Sequence, residues 1–513
     1  MRNKHDKPQV TPISSCLEDN LNQLQQAAKK RSDVTLRLFS DPQTDEKQLA
    51  LIYIDGLVDL SKVNEALIQP LMRTISSDHK DSAERFVEVQ NCANAAGATM
   101  ILEDMESVWK RMLLGDTILI LDNSRKAISA STFGGEFRSI QEPTTQNVIR
   151  GPKEAFTESL GTNISLITRR LKSQHLRVEN RVIGTQTQTN VSLLYLEGIA
   201  DQGVVEEILK RLDEIKTDSI LESGYIEELI TDAALSPFPT IQNTERPDMA
   251  TAGLLEGEVV IIVEGSPFVL LAPITFFTFF DSSEDYYQRF YIASFWRFLR
   301  YGAFFVSLLL PALYIAVTTF HQEMIPTTLL VSLVAQREGV PLPALIEALL
   351  MEITFEVLRE AGIRMPKAIG AAISIVGALV LGQAAVQAGL ISAAMVIVVS
   401  FTAISNFVIP SNNISVTIGL IRFALMIMGG TLGLYGVMAG LMLLSIHLAS
   451  LRSFGVPYLM PIAPLVWQNL KDVVVRVPLW SMNTRPDGIA NRNIIRQKKY
   501  LKPNPPEPNQ GKE

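Results

Sequence analysis

AIGAAISIVGALVLGQAAVQAGLISAAMVIVVSFTAISNFVIPSNNISVTIGLIRFALMIMGGTLGLYGVMAGLMLLSIHLASL, residues 368–451, contains no Asp, Glu, Lys or Arg except Arg422, and His447 is its other notable ionisable side chain. An uncharged apolar run of about 18 residues or more is long enough to cross the roughly 30 Å hydrocarbon core of a bilayer as a helix, and this block has room for several. A similar run, 301–320, precedes it, whereas nearly everything before Arg297 is polar enough to fold in water. The chain reads as a soluble half joined to a membrane half.

The formal net charge of −7 leaves no broad basic surface, and no Lys/Arg-rich face with interleaved aromatics suggests nucleic acid. Cys16 and Cys92 are the only cysteines and lack zinc or redox spacing, which suits a reducing compartment. MRNKHDKPQVTPISSC (1–16) has no apolar core of a signal peptide. Residues 1–32 read as a mobile arm ending in a short helix.

An internal repeat organises the soluble half. LALIYIDGLVDLSKVNEALIQPL (49–71) is a strand, a turn at Gly56 and a helix, and SLLYLEGIADQGVVEEILKRL (192–212) repeats it with Tyr53 opposite Tyr195 and Asp59 opposite Asp201, an offset of 142. GDTILILDNSRKAI from Gly115 matches GEVVIIVEGSPFVL from Gly257 at the same offset, each as a hairpin. Two α/β subdomains of similar plan are expected at 33–133 and 175–275. The acidic pairs Asp55/Glu197 and Asp122/Glu264 fall in turns, where short acids satisfy local backbone N–H groups. No His or Lys accompanies them at fixed spacing, and no phosphate-binding glycine loop is present, so the half offers no catalytic constellation, metal site or cofactor site.

Between the repeats, residues 134–174 read as a connector: a turn at Arg150, Gly151 and Pro152, then a helix from Glu154 to Lys172 with Phe156, Leu160, Ile164, Ile167 and Leu171 on one stripe. That helix is expected to be a rigid bracket. Arg150, Arg169 and Arg170 lie either on a solvated face or in ion pairs with neighbouring acids. Here EPTTQNVIRGPKEAFTESLGTNISLITRRLK (142–172) resembles the A subunits of spore nutrient germination receptors, the GerA family. TERPDMATAGLLEGEVVIIVEGSPFVLLAP (244–273), DYYQRFYIASFWRFLRYGAFF (285–305), PALIEALLMEITFEVLREAGIRMPKAIG (343–370) and GVPYLMPIAPL (455–465) carry the same resemblance, in the family's order, from about residue 40 to about 485.

The membrane half opens with Tyr286, Tyr287, Tyr291 and Trp296 beside Arg289, Arg297 and Arg300, the composition of an interface whose basic excess lies in the cytoplasm. An interfacial helix is expected at 276–300, transmembrane helices within 301–452, and a basic cytoplasmic tail at 453–513. Spans at 301–320, 368–388 and 391–410 are plain, and both ends inside requires an even number. Either the acidic segment 341–362 lies at the interface and 416–449 is one tilted helix, giving four crossings, or the first crosses and the second breaks near Gly429-Gly430, giving six. Gly429, Gly433, Gly436 and Gly440 read as one close-packing helix face. Ile373, Val376, Val380, Gln383 and Gln387 share a stripe suited to lining an ion path, and Glu352 with Glu356 either adds a ring of negative charge or pairs with Arg359 and Arg364.

The expected fold is therefore an α/β region of two duplicated subdomains followed by an α-helical transmembrane bundle of four to six spans. The resemblance implies an A subunit that is no enzyme, forms a homo-oligomer in membrane lipid, and works with a transporter-like B subunit and a lipoprotein C subunit in the spore inner membrane, where nutrient signals release ions. A secondary transporter would call for matching membrane halves, and a membrane-tethered enzyme for a nucleophile with its base. Neither signature is found in the sequence.

Overall fold

The computed structural model describes residues 11–40, 47–75, 82–134, 142, 143, 146, 148–364, 382–490 and 493–497. Two compact units emerge. Unit 1 comprises Met1–Thr231, Ile241–Pro273 and Thr484–Arg496, and unit 2 comprises Asp232–Thr240, Ile274–Asn483 and Gln497–Glu513.

Unit 1 holds two five-stranded sheets. Strands β1 (Val34–Ser40), β2 (Lys47–Ile54), β3 (Thr99–Leu102), β4 (Thr117–Leu121) and β5 (Ala127–Ala130) lie in the order β1-β2-β4-β5-β3. Strands β6 (Leu176–Ile183), β7 (Thr189–Leu196), β8 (Gln242–Thr244), β9 (Val259–Val263) and β10 (Val269–Ala272) lie in the order β6-β7-β9-β10-β8. Every neighbouring pair is antiparallel, and the registers coincide. Thr35 faces Tyr53 as Arg177 faces Tyr195, and Ile52 faces Ile118 as Leu194 faces Val260. Leu119 faces Ile128 as Ile261 faces Leu270, and Met100 faces Ser129 as Gln242 faces Leu271. Each second pair is the first displaced by 142 residues. Because a slip of one residue would turn every side chain to the wrong face, one pattern of inward and outward residues governs both sheets.

In the first sheet both faces are buried, so β2 alternates between two cores. Ala50, Ile52 and Ile54 meet Leu17, Leu21, Leu24, Val108, Trp109 and Met112, while Leu49, Leu51 and Tyr53 meet Val63, Leu67, Leu71, Val89 and Ala93. The turns repeat as well: Gly56 and Gly198 take φ of 79° and 83°, the left-handed region that favours glycine. Asp59 and Asp201 then cap the following helices by accepting from backbone N–H groups. The turn acids are engaged across the fold rather than by neighbouring backbone N–H groups as expected: Asp55 accepts from Thr35 Oγ1 (2.6 Å), Glu197 pairs with Arg177, Asp122 accepts from Leu17 N (3.0 Å), and Glu264 accepts from Asn190 Nδ2 (2.6 Å).

The reading of residues 1–32 as a mobile arm is corrected over its described part. Leu17–Ala27 is a helix whose Leu17, Leu21 and Leu24 are core residues, and Ile13 is buried with them. The connector helix is shorter than Glu154 to Lys172: it runs Leu160–Arg170, because the Ser159 side chain accepts from Thr162 N and closes its start, and Leu171 already departs from helical angles. Phe156 is buried in non-helical chain before it. These two helices are counterparts. Asn20 accepts from Ser14 N and donates to Ser14 O, as Asn163 does with Thr157 N and O. Asn123 N donates to Ser15 O as Gly265 N donates to Glu158 O, and Ile13 N to Glu103 O as Phe156 N to Glu245 O. Each repeat therefore begins with its own helix.

Unit 2 contains the helices Phe290–Phe320, Thr327–Arg337, Ala344–Arg364 and Ala393–Val408 and the helical stretch Asn412–Ser450; residues 382–387 are helical too. Among the described residues, two stretches are long and apolar enough to cross a membrane, Phe290–Phe320 and Asn412–Ser450, with mean hydropathies of 2.0 and 1.8. The first replaces the expected interfacial helix at 276–300: Phe276–Phe280 is a short 3-10 turn, and one helix then runs unbroken through residues 300 and 301.

The second is a hairpin. Gly433 has φ 64° and ψ −148°, outside helical space, a region essentially reserved for glycine. A Cβ at Gly440 would stand 2.5 Å from the Leu425 side chain, although 15 helical residues would separate them by about 22 Å in a straight rod. Thr417 donates to Pro237 O (2.6 Å) and His447 meets Ser236 Oγ (2.8 Å), so both ends reach one segment. The break falls at Gly433 rather than at Gly429-Gly430. Consequently Gly429, Gly433, Gly436 and Gly440 do not share one helix face: Gly429 lies on one arm, Gly436 and Gly440 on the other, and Gly433 is the turn.

Within the expected tail at 453–513, described residues are anchored in the fold. Tyr458 is fully buried and donates to Pro239 O (2.8 Å) in unit 2, whereas Arg485 donates to Leu255 O (2.7 Å) and Arg496 pairs with Glu256 (3.0 Å) in unit 1. Residues 232–240, expected inside the second subdomain, group with unit 2.

Candidate functional site

Arg422 is the lone formal charge of the apolar block, and it lies fully buried on the first arm of the hairpin. Its Nη2 is 2.9 Å from Glu352 Oε2 and 3.4 Å from Glu356 Oε1, both on the helix Ala344–Arg364. Nη1 donates to Ser307 O (3.3 Å) and Ser307 Oγ (3.4 Å), and Ser307 Oγ donates to Asn406 Oδ1 (3.3 Å). Four helical elements thus meet around one guanidinium. Glu352 is 1% exposed, yet among the described residues neither of its oxygens accepts an aligned hydrogen bond and Arg422 Nε has no acceptor. Charge is balanced by position, because Glu356 also pairs with Arg359 at 2.7 Å. Desolvating such groups costs several kcal/mol per ion, and polar clusters inside apolar helical bundles are functional candidates for that reason.

Glu352 and Glu356 therefore meet Arg422 rather than Arg364, which pairs with Glu360. Sequence spacing could not reveal this contact between helices. One turn away, the buried Glu347 accepts from Ser392 N (2.5 Å) and Ser392 Oγ (2.6 Å) at the start of the helix Ala393–Val408. Of the proposed pore stripe, Gln383 and Gln387 are exposed, and Ile373, Val376 and Val380 lie outside the described residues.

A second charge cluster ties the foot of the helix Phe290–Phe320 to later chain. Arg297, expected at an interface, is fully buried and pairs with Asp281 (3.1 Å), Asp285 (3.1 Å) and Asp472 (2.8 Å), while Arg300 pairs with Asp285 (2.6 Å) and Tyr286 donates to Asp472 (2.8 Å). Burial pushes the Asp281 carboxyl up to about 8 against the pull of Arg297, and raises Asp472 in the same direction. Three carboxylates around shared arginines make this a clamp.

In the connector, Arg150 and Gly151 are exposed, and Pro152 O accepts from Arg246 Nη2 (3.0 Å). Arg246 is 1% exposed, paired twice with Asp248 (3.0 and 2.7 Å), and donates to Gln146 O (3.2 Å). Arg170 pairs with Glu154, and the Arg169 guanidinium lies over the Phe133 ring at 5.7 Å. The helix Leu160–Arg170 packs on the helix Pro247–Glu256, while a Cβ at Gly56 would meet Ser165 Cβ at 3.1 Å. It touches both subdomains. Among the described residues no cluster of His, Cys, Asp and Glu is arranged to hold a metal.

Compared with known proteins, residues 22–488 match the family model described as Bacillus/Clostridium GerA spore germination protein. The chain is 46% identical to spore germination protein KA of Bacillus subtilis over 502 residues, covering 98% of this chain and 92% of that one. It is 42% identical to the uncharacterized membrane protein YfkQ of Bacillus subtilis, covering 94% and 93%, and 38% identical to spore germination protein GerLA of Bacillus cereus, covering 86% and 90%. The crystal structure of the N-terminal domain of the A subunit of the Bacillus megaterium spore germinant receptor GerK3 matches with 36% identity and a TM-score of 0.42, over 52% of this chain and 98% of that one.

Proposed function

The chain belongs to the Bacillus/Clostridium GerA spore germination protein family, and from that premise we propose that it is the A subunit of a spore nutrient germination receptor, converting germinant sensing into ion release across the spore inner membrane. On this reading it is no enzyme. Unit 1 and the C-terminal segment are cytoplasmic, the apolar helices of unit 2 cross the bilayer, and copies assemble with a transporter-like B subunit and a lipoprotein C subunit.

The observation that carries the ion-release reading is the Arg422–Glu352 contact at 2.9 Å, an ion pair between the long apolar stretch Asn412–Ser450 and the acidic helix Ala344–Arg364. A charged pair with unfilled hydrogen-bonding capacity is a poor device for stability alone. It suits a bundle that rearranges, because one arginine can exchange between two carboxylates one turn apart. The stripe Ile373, Val376, Val380, Gln383 and Gln387 is proposed as the lining of the path between copies, its amides wetted and its aliphatic part closing by dewetting.

Spores carrying the chain, lacking it, or bearing Glu352→Gln provide the test. Germinant-triggered cation efflux is expected to disappear with the chain and to fall at least tenfold in Glu352→Gln while the subunit remains in the membrane. Efflux unchanged by deletion refutes the receptor role. Efflux unchanged by Glu352→Gln refutes the part given to the ion pair.

A further inference from the structure

We propose that residues 465–480, which follow the helical hairpin, form a strap that lies in the lipid headgroup layer at the foot of the helix Phe290–Phe320, with membrane lipid as its partner. The proposal rests on the reading that this helix crosses the bilayer, and it gives to lipid a stretch expected in the cytoplasmic tail.

The strap is bound to the foot of the helix by its polar groups. Arg297 Nη1 donates to Asp472 Oδ1 (2.8 Å), Tyr301 OH donates to Val473 O (3.1 Å), and Ser294 Oγ donates to Arg476 O (3.2 Å). Asp472 also accepts from the Tyr286 hydroxyl (2.8 Å), and the guanidinium of the buried Arg476 lies 5.7 Å from the centre of the Tyr286 ring.

The exposed side chains of the strap are instead its apolar ones. Leu465, Trp467, Val474, Val475 and Leu479 are all exposed, Trp467 at 74%, whereas Arg476 is 2% exposed. A segment that faces water does the opposite, burying its valines and leaving its charges wet. Charge turned inward with apolar groups outward marks a surface whose solvent is not water. On the neighbouring turns of the helix, Phe295, Trp296, Phe298 and Leu299 are exposed too, so the apolar surface of the strap continues that of the helix.

Two constraints fix the depth. The backbone of 465–480 forms only turns and short 3-10 pieces, and lipid-exposed irregular backbone is not tolerated in the hydrocarbon core. Bulk water is excluded by the exposed Trp467 and its apolar neighbours, which leaves the interfacial layer, where Trp side chains anchor. The helix gives the same level: its 31 residues span about 46 Å, against roughly 40–45 Å for a bilayer with its headgroups. Its first three turns, which carry Ser294, Arg297 and Tyr301, therefore stand at headgroup level. The exposed Lys471 adds a cation for lipid phosphate.

The test uses the full chain in lipid nanodiscs with Trp109, Trp296 and Trp480 replaced by Phe, leaving Trp467 as the sole reporter. Lipid brominated near the carbonyl end of its chains is expected to quench Trp467 at least twofold more than lipid brominated near the chain ends, with acrylamide in the water a weak quencher. A companion carrying Phe305→Trp and Trp467→Phe probes the middle of the helix and is expected to respond to the deep bromines. Should the first protein fail to fold, a nitroxide on Val475→Cys, with Cys16→Ser and Cys92→Ala, is expected to collide more with oxygen than with a water-soluble nickel chelate, and the reverse order overturns the strap. Quenching of Trp467 chiefly by acrylamide or by the deep bromines, with Phe305→Trp still quenched from within the bilayer, overturns the strap and spares the crossing helix. A Trp467 shielded from bromine and acrylamide alike overturns it in favour of a protein cover such as a second copy. Phe305→Trp untouched by bromine removes the crossing helix and the strap with it.

Discussion

The two subdomains share strand order, register, turn glycines and a leading helix, but they treat corresponding positions differently. Asp104 precedes the helix Met105–Met112 and caps it by accepting from Ser107 N (2.7 Å). Its counterpart, 142 residues on, is Arg246, followed by Pro247 at the first helical position and anchored by Asp248 and two backbone carbonyls of the connector. The first subdomain spends this position on a local cap, and the second uses it to gather distant chain. Duplication thus preserved the register, which one slip would destroy, while individual polar positions were free to take on long-range work.

Arg246→Ala should have the largest effect, because it removes the paired cation from Asp248, a buried carboxylate, and frees the connector carbonyls. A loss of about 3–5 kcal/mol is expected, read as faster hydrogen exchange in β8, β9 and β10 with β1, β2 and β4 spared. Equal protection in wild type and variant would break the contrast.

Phe156→Ala comes next, at about 3 kcal/mol for a buried aromatic, and it should exceed Ile13→Ala at the matching position of the first repeat, since the helix Leu160–Arg170 serves both subdomains. Chemical denaturation of the two variants tests the ranking, and a reversed order would remove the bracket role. Smaller still is Asp104→Ala, about 1 kcal/mol for a lost N-cap, with exchange quickened only around the helix Met105–Met112. If it matched Arg246→Ala in size and spread, the two positions would be doing the same work.

The smallest effect separates the repeats by pH. Burial, aided by Glu222, pushes the Glu227 carboxyl of the second subdomain up to about 7. Raised above its unfolded value, this group contributes stability that is fully present below about pH 4 and is lost as pH rises through about 7. Melting of the second subdomain should therefore weaken between pH 5 and pH 8, and Glu227→Gln should flatten that slope. An identical slope in the variant would assign the titration elsewhere.

The offset of 142 was legible because strands and their turns must keep phase. Both leading helices are legible, but their kinship is not, because they correspond at 143: Leu17 with Leu160, Asn20 with Asn163, Leu24 with Ile167. A helix tolerates such an insertion before its strand, so one fixed spacing hides the pair, and the short helix of 1–32 reads as the end of an arm rather than as the start of the first subdomain. In unit 2, glycines at spacings of four, three and four fit one helix face and two arms of a hairpin equally well; only the backbone of Gly433 decides. The partner of Arg422 was illegible for another reason. Glu352 and Arg422 lie 70 residues apart on separate helices, and periodicity records which face of a helix is apolar but not which neighbour it meets.

The placement of Thr484–Arg496 in unit 1 bears on how the chain is made. A ribosome delivers both sheets first, then every helix of unit 2, and only afterwards the strip that sets Arg485 against Leu255 and Arg496 against Glu256. Unit 1 therefore gains these two contacts only after the apolar helices have been made.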